Sequence, residues 1–211
     1  MKSIFDIINP FCTILEIGCN DMEDTARLRT TFPHARIICF EPEPRVIKYV
    51  EDKQLQRSLN VELVRCALAD VSGEIEFWQS HKVGWQDEEW NKSGSLKQPV
   101  ERLRCTPENE SRMFKRQPVK VRCETLDGVA HRFGIETVDF IWMDVQSAEV
   151  LVIKGGRQTF RNTRYLYTEH NTDGTYKDEP GITGIMAELP EWKLLAQWPR
   201  DALLFNASWP K

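Results

Sequence analysis

Several apolar runs in this sequence end in residues that can do chemistry. Glu16-Ile17-Gly18-Cys19-Asn20 closes the first run, Glu41-Pro42 the second and Cys66-Ala67-Leu68 the third; Asp144 follows VDFIWM, and Glu169-His170-Asn171 follows Tyr165–Thr168. Glu16, beside a turn with one glycine, can attract an amino group or a sulfonium. Glu41 can accept both hydroxyls of a ribose. Asp144 can take a proton from a hydroxyl as a general base. With Glu169 and Asn171 it can instead supply oxygen ligands to Mg²⁺, or it can cap the helix that follows. In extended chain Glu169 and Asn171 share a side and His170 points away. His170 is a second candidate base, whereas His34, His81 and His131 fall in surface or loop segments.

These residues act together only if the chain brings the ends of its runs to one place. Thr13–Ile17, Arg36–Phe40 and Val61–Leu68 read as strands, and Asp24–Phe32 and Pro44–Asp52 between them as helices. Such alternation is the mark of a parallel, doubly wound sheet, whose ligands bind beyond the carboxyl ends of the strands. Glu74–Trp78 and Val119–Cys123 are further strands, Leu126–Phe133 a short helix, Val138–Met143 a buried strand, Ala148–Phe160 a helix and Tyr165–Thr168 a strand. Trp192–Gln197 and Ala202–Asn206 alternate like an antiparallel hairpin turning at Pro199-Arg200-Asp201.

Residues 79–118 are polar and irregular, and loops of this length are often functional. Trp85 and Trp90 flank Gln86, Asp87, Glu88 and Glu89, a mixture that can stack on and hydrogen-bond to sugars, or can anchor the loop. The expected layout is one domain over residues 1–211 with this insert as an acceptor-binding lid. Its second half is basic, which fits either a charged acceptor or a solvated face.

At the first turn, the single Gly18 differs from the several glycines that let a backbone cradle a pyrophosphate, which disfavours a nicotinamide-dependent oxidoreductase. One glycine with Glu16 on one strand end and Glu41 on the next fits adenosine joined to an amino acid, which points to S-adenosylmethionine (SAM). A generic strand–helix–strand unit with acidic ends remains the alternative.

The bulk properties narrow the class further. The 211 residues carry a formal charge of −4, which argues against binding nucleic acid through bulk positive charge. The six cysteines show no zinc spacing and read as buried thiols of a reducing compartment. No apolar run approaches the ~18 residues of a membrane span. The first residues lack the pattern of an export signal, so a cytoplasmic location is expected.

Taken in order, six segments are similar to the FkbM-type methyltransferases. ILEIGCN at 14–20 resembles that family's first motif, acidic-x-Gly-x-Asn after a strand, and Phe40-Glu41-Pro42 its ribose-binding segment. Ala67-Leu68-Ala69-Asp70 with Gly73, Ser93-Gly94-Ser95-Leu96, Thr125-Leu126-Asp127 and DFIWMDVQSAEVLVIKG from Asp139 to Gly155 resemble the later motifs. Two departures stand out: Met22 where the family has a third-turn glycine, and Gln146-Ser147 for its Glu-Gly.

The resemblance implies a Rossmann-like class I methyltransferase fold: a doubly wound, mostly parallel seven-stranded sheet with an antiparallel C-terminal hairpin and the long insert before the fourth core strand. It implies SAM as methyl donor, held by Glu16, Gly18, Asn20, Glu41, Pro42, Cys66 and Ala67. A hydroxyl acceptor on a sugar, glycan or polyketide-type metabolite would lie near Trp85, Trp90 and Ser95. Asp144, Glu169 and His170 would be catalytic, with Mg²⁺ on Asp144, Glu169 and Asn171 as one version of the site. A homo-oligomer, or a place within a larger glycan-building polypeptide, is compatible with this reading. The competing expectation is a docking module that no longer transfers methyl groups, motivated by the two departures.

Overall fold

The computed structural model describes residues 12–81, 90–107, 109 and 112–209. Strand β1 (Thr13–Ile17) leads through helix α1 (Glu23–Thr31) to β2 (Arg36–Phe40). Helices α2 (Pro44–Asp52) and α3 (Leu55–Ser58) lead to β3 (Glu62–Val64), and two strands follow, β4 (Ala67–Leu68) and β5 (Gly73–Phe77). After the insert come β6 (Val119–Glu124), α4 (Leu126–Phe133), β7 (Val138–Met143), α5 (Glu149–Gly155), α6 (Arg157–Arg161) and β8 (Thr163–Glu169). The chain ends with α7 (Gly181–Glu188), β9 (Trp192–Gln197) and β10 (Asp201–Asn206).

The main sheet has seven strands in the order β3-β2-β1-β7-β8-β10-β9. Its first five strands run parallel, and β10 and β9 add antiparallel at the far edge. The strand order therefore reverses between β1 and β7, the place where such sheets open a crevice.

Period-two alternation divides the strands' side chains between two cores. Leu15, Ile17, Ile38, Ile141, Met143 and Leu166 pack with Val129, Val152, Ile153, Phe160 and Ile185 of α4 to α7. Ile14, Cys39 and Phe140 pack with Leu28, Val46 and Val50 of α1 and α2. Burial on both faces is why β1, β2 and β7 read as mostly apolar runs rather than as alternating ones. The helix ends carry local signals. Pro44 opens α2 behind a Glu43 cap, Thr125 Oγ1 accepts the Gly128 N–H at the start of α4, and Gly134 ends α4 at φ 62°.

Two sequence expectations need correction. Val61–Leu68 is not one strand: the chain bends at Arg65-Cys66, with the Cys66 N–H on the Val64 carbonyl at 3.0 Å. β3 stays on β2, and β4 leaves to pair with β6 in a separate sheet of order β4-β6-β5. Ala148–Phe160 is not one helix either. It breaks at Gly155-Gly156, where a Cβ on Gly155 would lie 1.9 Å from the Ala69 carbonyl oxygen. That close approach ties α5 to the segment after β4. Helices α3 and α7 were not expected from the sequence. Among the described residues no helix is long and apolar enough to cross a membrane.

Candidate active site

The carboxyl ends of β1, β2 and β7 converge on the turn that follows β1. The N–H groups of Gly18 and Cys19 both donate to the Phe40 carbonyl, at 2.9 and 3.1 Å, and Asp144 N–H donates to the Ile17 carbonyl at 2.9 Å. Gly18 has φ +88°, and a Cβ there would sit 1.9 Å from the Asp144 carbonyl oxygen, so only glycine fits. Asn20 (φ 42°) and Met22 (φ 66°) also take left-handed backbone. Met22 thus keeps the backbone that favours glycine, and its side chain is buried in the α1–α2 core.

Glu41 closes β2 and braces this turn. Its Oε2 accepts the Asn20 N–H at 2.9 Å and its Oε1 the Glu43 N–H at 2.7 Å. Burial pushes its pKa up to about 7, against the two N–H donors that favour the charged form. The remaining lone pairs of this carboxylate are free to accept hydroxyls. Asn20 Oδ1 is buried at the same turn and finds no partner among the described residues.

A strap from the insert, residues 91–96, roofs the space above this turn. Asn20 Nδ2 donates to the Asn91 carbonyl at 3.0 Å, and Lys92 pairs with Asp21 at 2.8 Å. Gly94 lies flat on Phe77, where a Cβ would come within 2.4 Å of the ring. Ser95 exchanges two backbone hydrogen bonds with Trp78, and its hydroxyl donates to the Gln146 carbonyl at 2.6 Å. The resulting cleft has about 950 Å³ of space, partly continuous with solvent, which accommodates a nucleoside-sized ligand.

Gly18, Asn20, Glu41, Pro42, Cys66, Ala67, Ser95 and Asp144 all line this cleft. Glu16 does not. Its carboxyl is 1% exposed, accepts from Thr25 Oγ1 at 2.6 Å and from the Cys39 thiol at 3.4 Å, and burial raises its pKa to about 8. It pins α1 to the sheet below the turn. Trp90 does not line the cleft either; its indole N–H donates to Ser93 Oγ at 2.8 Å and anchors the strap. Trp85 lies outside the described residues.

Asp144, Glu169 and His170 separate in a similar way. His170 is buried away from the cleft, its N–H on the Arg200 carbonyl at 2.7 Å and its Nε2 3.5 Å from Gln197 Nε2. Glu169 stands behind Asp144, and burial together with the Asp144 charge pushes its pKa up to about 9. The side-chain amide of Gln146 donates to Asp144 Oδ1 at 2.7 Å and to Glu169 Oε2 at 2.6 Å.

This donor set does not fit the expected Mg²⁺. A hard cation needs converging oxygen lone pairs at roughly 2.0–2.6 Å. Here an N–H₂ group lies between the carboxylates, and Arg200 occupies Glu169 Oε1 at 3.1 Å and Asn171 Oδ1 at 3.0 Å. Among the described residues no His, Cys, Asp or Glu cluster is arranged to hold a metal.

Trp142, Tyr176 and Lys92 were not expected at the site from the sequence, and Gln146 stood out there only as a departure from the family pattern. Trp142 lies two residues before Asp144 on the same face of β7, a parity that could have placed it in the cleft wall. Tyr176 donates to the Ser93 carbonyl at 2.7 Å from a loop distant in sequence, and no local pattern announces that contact.

Residues 16–194 match the family model described as "Methyltransferase FkbM domain". A curated relative, the 2-O-methyltransferase NoeI of Sinorhizobium fredii, is 37% identical over 204 residues, covering 93% of this chain and 80% of that protein. The crystal structure of an FkbM methyltransferase from Methylobacillus flagellatus KT is 13% identical with a TM-score of 0.57, covering 93% of this chain and 44% of that one. A fibrillarin/Nop5p complex is similar in fold, 9% identical with a TM-score of 0.50, covering 93% of this chain and 72% of that one. Sheet order, cleft and family match agree, and the chain belongs to the FkbM family of class I, SAM-dependent methyltransferases.

Proposed function

We propose that this protein is an O-methyltransferase that methylates a hydroxyl of a sugar or glycan. The observation that carries the reading is Asp144. It places a carboxylate in the wall of a cleft whose lining also offers Glu41 for a ribose. The similarity to a 2-O-methyltransferase supports oxygen as the accepting atom. The polar lining from Asn20, Asp21, Asn91, Lys92 and Ser95 supports a hydroxyl-rich acceptor. The chain spans 44% of the length of the Methylobacillus protein, so the proposal concerns this chain alone.

The residues present fit SAM, which when bound supplies an activated methyl group on sulfur. Glu41 would accept the ribose hydroxyls. The orphaned Asn20 Oδ1 would receive a donor from the bound ligand, removing the cost of an unpaired buried oxygen. Asp144 would accept the proton of the attacking hydroxyl, which is a poor nucleophile until it loses that proton. Burial and the Asp144 charge hold the Glu169 carboxyl well above the ordinary carboxylate range, and the Gln146 amide joins it to Asp144. The strap at 91–96 would fix the acceptor and exclude water, and alignment of this kind can contribute several kcal/mol.

The docking-module alternative loses its motive at the backbone level. Met22, Gln146 and Ser147 all adopt positive φ, so the turns survive the side-chain departures. The test is incubation with methyl-labelled SAM and a panel of oligosaccharides, with the product identified by mass spectrometry. A sugar methyl ether is expected, and its formation should fall ~100-fold or more in Asp144→Asn. Binding of S-adenosylhomocysteine (SAH) should be retained in that variant. Undiminished transfer in Asp144→Asn, or no transfer to any hydroxyl, would overturn the proposal.

A further inference from the structure

We propose that Gln146 is a positioning residue whose side-chain amide holds the place between Asp144 and Glu169 that a divalent cation would take, so that this carboxylate pair works without metal. The inference rests on Asp144 being the base. Two carboxyl groups converge at the ends of adjacent strands β7 and β8. Unscreened, their oxygens would repel, and a cation is one common remedy. The chain supplies another. Gln146 Nε2 lies 2.7 Å from Asp144 Oδ1 and 2.6 Å from Glu169 Oε2, one N–H for each carboxyl.

The orientation of this amide follows from its two carboxyl partners: a reversed amide would set its oxygen against both. Gln146 Oε1 lies 3.3 Å from the buried Tyr176 hydroxyl, whose proton goes to the Ser93 carbonyl at 2.7 Å. The backbone is fixed as well. Gln146 has φ 53°, Ser147 after it φ 72°, and the Gln146 carbonyl accepts the Ser95 hydroxyl at 2.6 Å. Two successive left-handed residues that are not glycine are a costly conformation, kept where surrounding structure enforces it.

Charge is balanced by Arg200, on Glu169 Oε1 at 3.1 Å, and this guanidinium also takes Asn171 Oδ1 at 3.0 Å. The third oxygen that a cation could have used is therefore spent. The chemical consequence concerns basicity. A bound divalent ion strongly favours the ionised form of its carboxylate ligands and weakens them as proton acceptors. A neutral amide brings no such positive charge to Asp144.

The test is a Mn²⁺ titration of the whole protein, followed by the loss of the free-ion signal in electron paramagnetic resonance. Wild type should show no saturable site, and EDTA should leave SAH affinity unchanged. Gln146→Glu replaces the two N–H donors with a third carboxylate and should bind Mn²⁺ at least ~100-fold more tightly than wild type, a gain lost again when Asp144→Asn is added. Where methyl transfer is measurable, Gln146→Ala should move the kcat pH profile, which a purely structural defect would leave in place.

Saturable Mn²⁺ binding by wild type that disappears in Asp144→Asn would overturn the proposal. So would a folded, SAH-binding Gln146→Glu protein that takes up no Mn²⁺. If Gln146→Glu does not fold, the wild-type and Asp144→Asn titrations decide alone. None of the titrations needs an acceptor, so their outcome is independent of whether the acceptor is a sugar.

Discussion

At the scale of single residues, two acids that look alike in the sequence have different fates. Glu16 and Glu41 both lie near the carboxyl ends of neighbouring strands. Strand parity turns Glu16 down toward Thr25 and Cys39, while Glu41, one residue past β2, reaches the cleft. Glu16→Gln should therefore leave SAH affinity within about threefold of wild type, below ~1 kcal/mol. A tenfold loss by calorimetry would return Glu16 to the cofactor site. Gly18 is constrained by space rather than chemistry. Gly18→Ala would push a methyl onto the Asp144 carbonyl in a left-handed conformation, and we expect ~3 kcal/mol or more of lost stability in urea unfolding. A variant as stable as wild type would contradict the close β1–β7 approach.

At the scale of elements, the turn after β1 shows how a departure from the family pattern is absorbed. Met22 adopts φ 66° at a cost of ~1–2 kcal/mol, and its buried side chain contributes ~2–5 kcal/mol of packing. Met22→Gly, which restores the family residue, should thus destabilise this protein by ~1–3 kcal/mol. A stabilised variant would mean that strain, not packing, dominates there. The strands β1, β2 and β7 were legible because burial on both faces writes a mostly apolar run, and the cleft was legible because it lies at their ends. The breaks at Arg65-Cys66 and Gly155-Gly156 were not, since a second sheet and a contact with the Ala69 carbonyl decide them. His170 and Asn171 misled for the same reason: the hairpin residue Arg200 claims that corner, and nothing near residue 170 in the sequence reveals it.

At the scale of the whole molecule, the protein buries several carboxyls at or near the site. Burial is the largest cause holding Glu16 and Glu149 at about 8, Glu41 at about 7 and Glu169 at about 9, against an ordinary value of 4.5. Each binds its proton more tightly in the folded than in the unfolded chain. Their contribution is fully present below pH 4.5 and is lost as pH rises from there through 7 to 9. The melting temperature without ligand should accordingly fall between pH 6 and pH 9; a rise over that window would contradict the burial of these groups. Under the proposed ribose contact the same carboxyls would link cofactor binding to pH, because a carboxylate accepts hydroxyls best when ionised. Calorimetric titration of SAH into wild type and Glu41→Gln at pH 8 decides whether this cleft holds the cofactor. Micromolar binding to wild type is expected, weakened ~10-fold or more by the substitution. No binding to wild type, or equal binding to both proteins, would contradict the assignment of this cleft as the cofactor site.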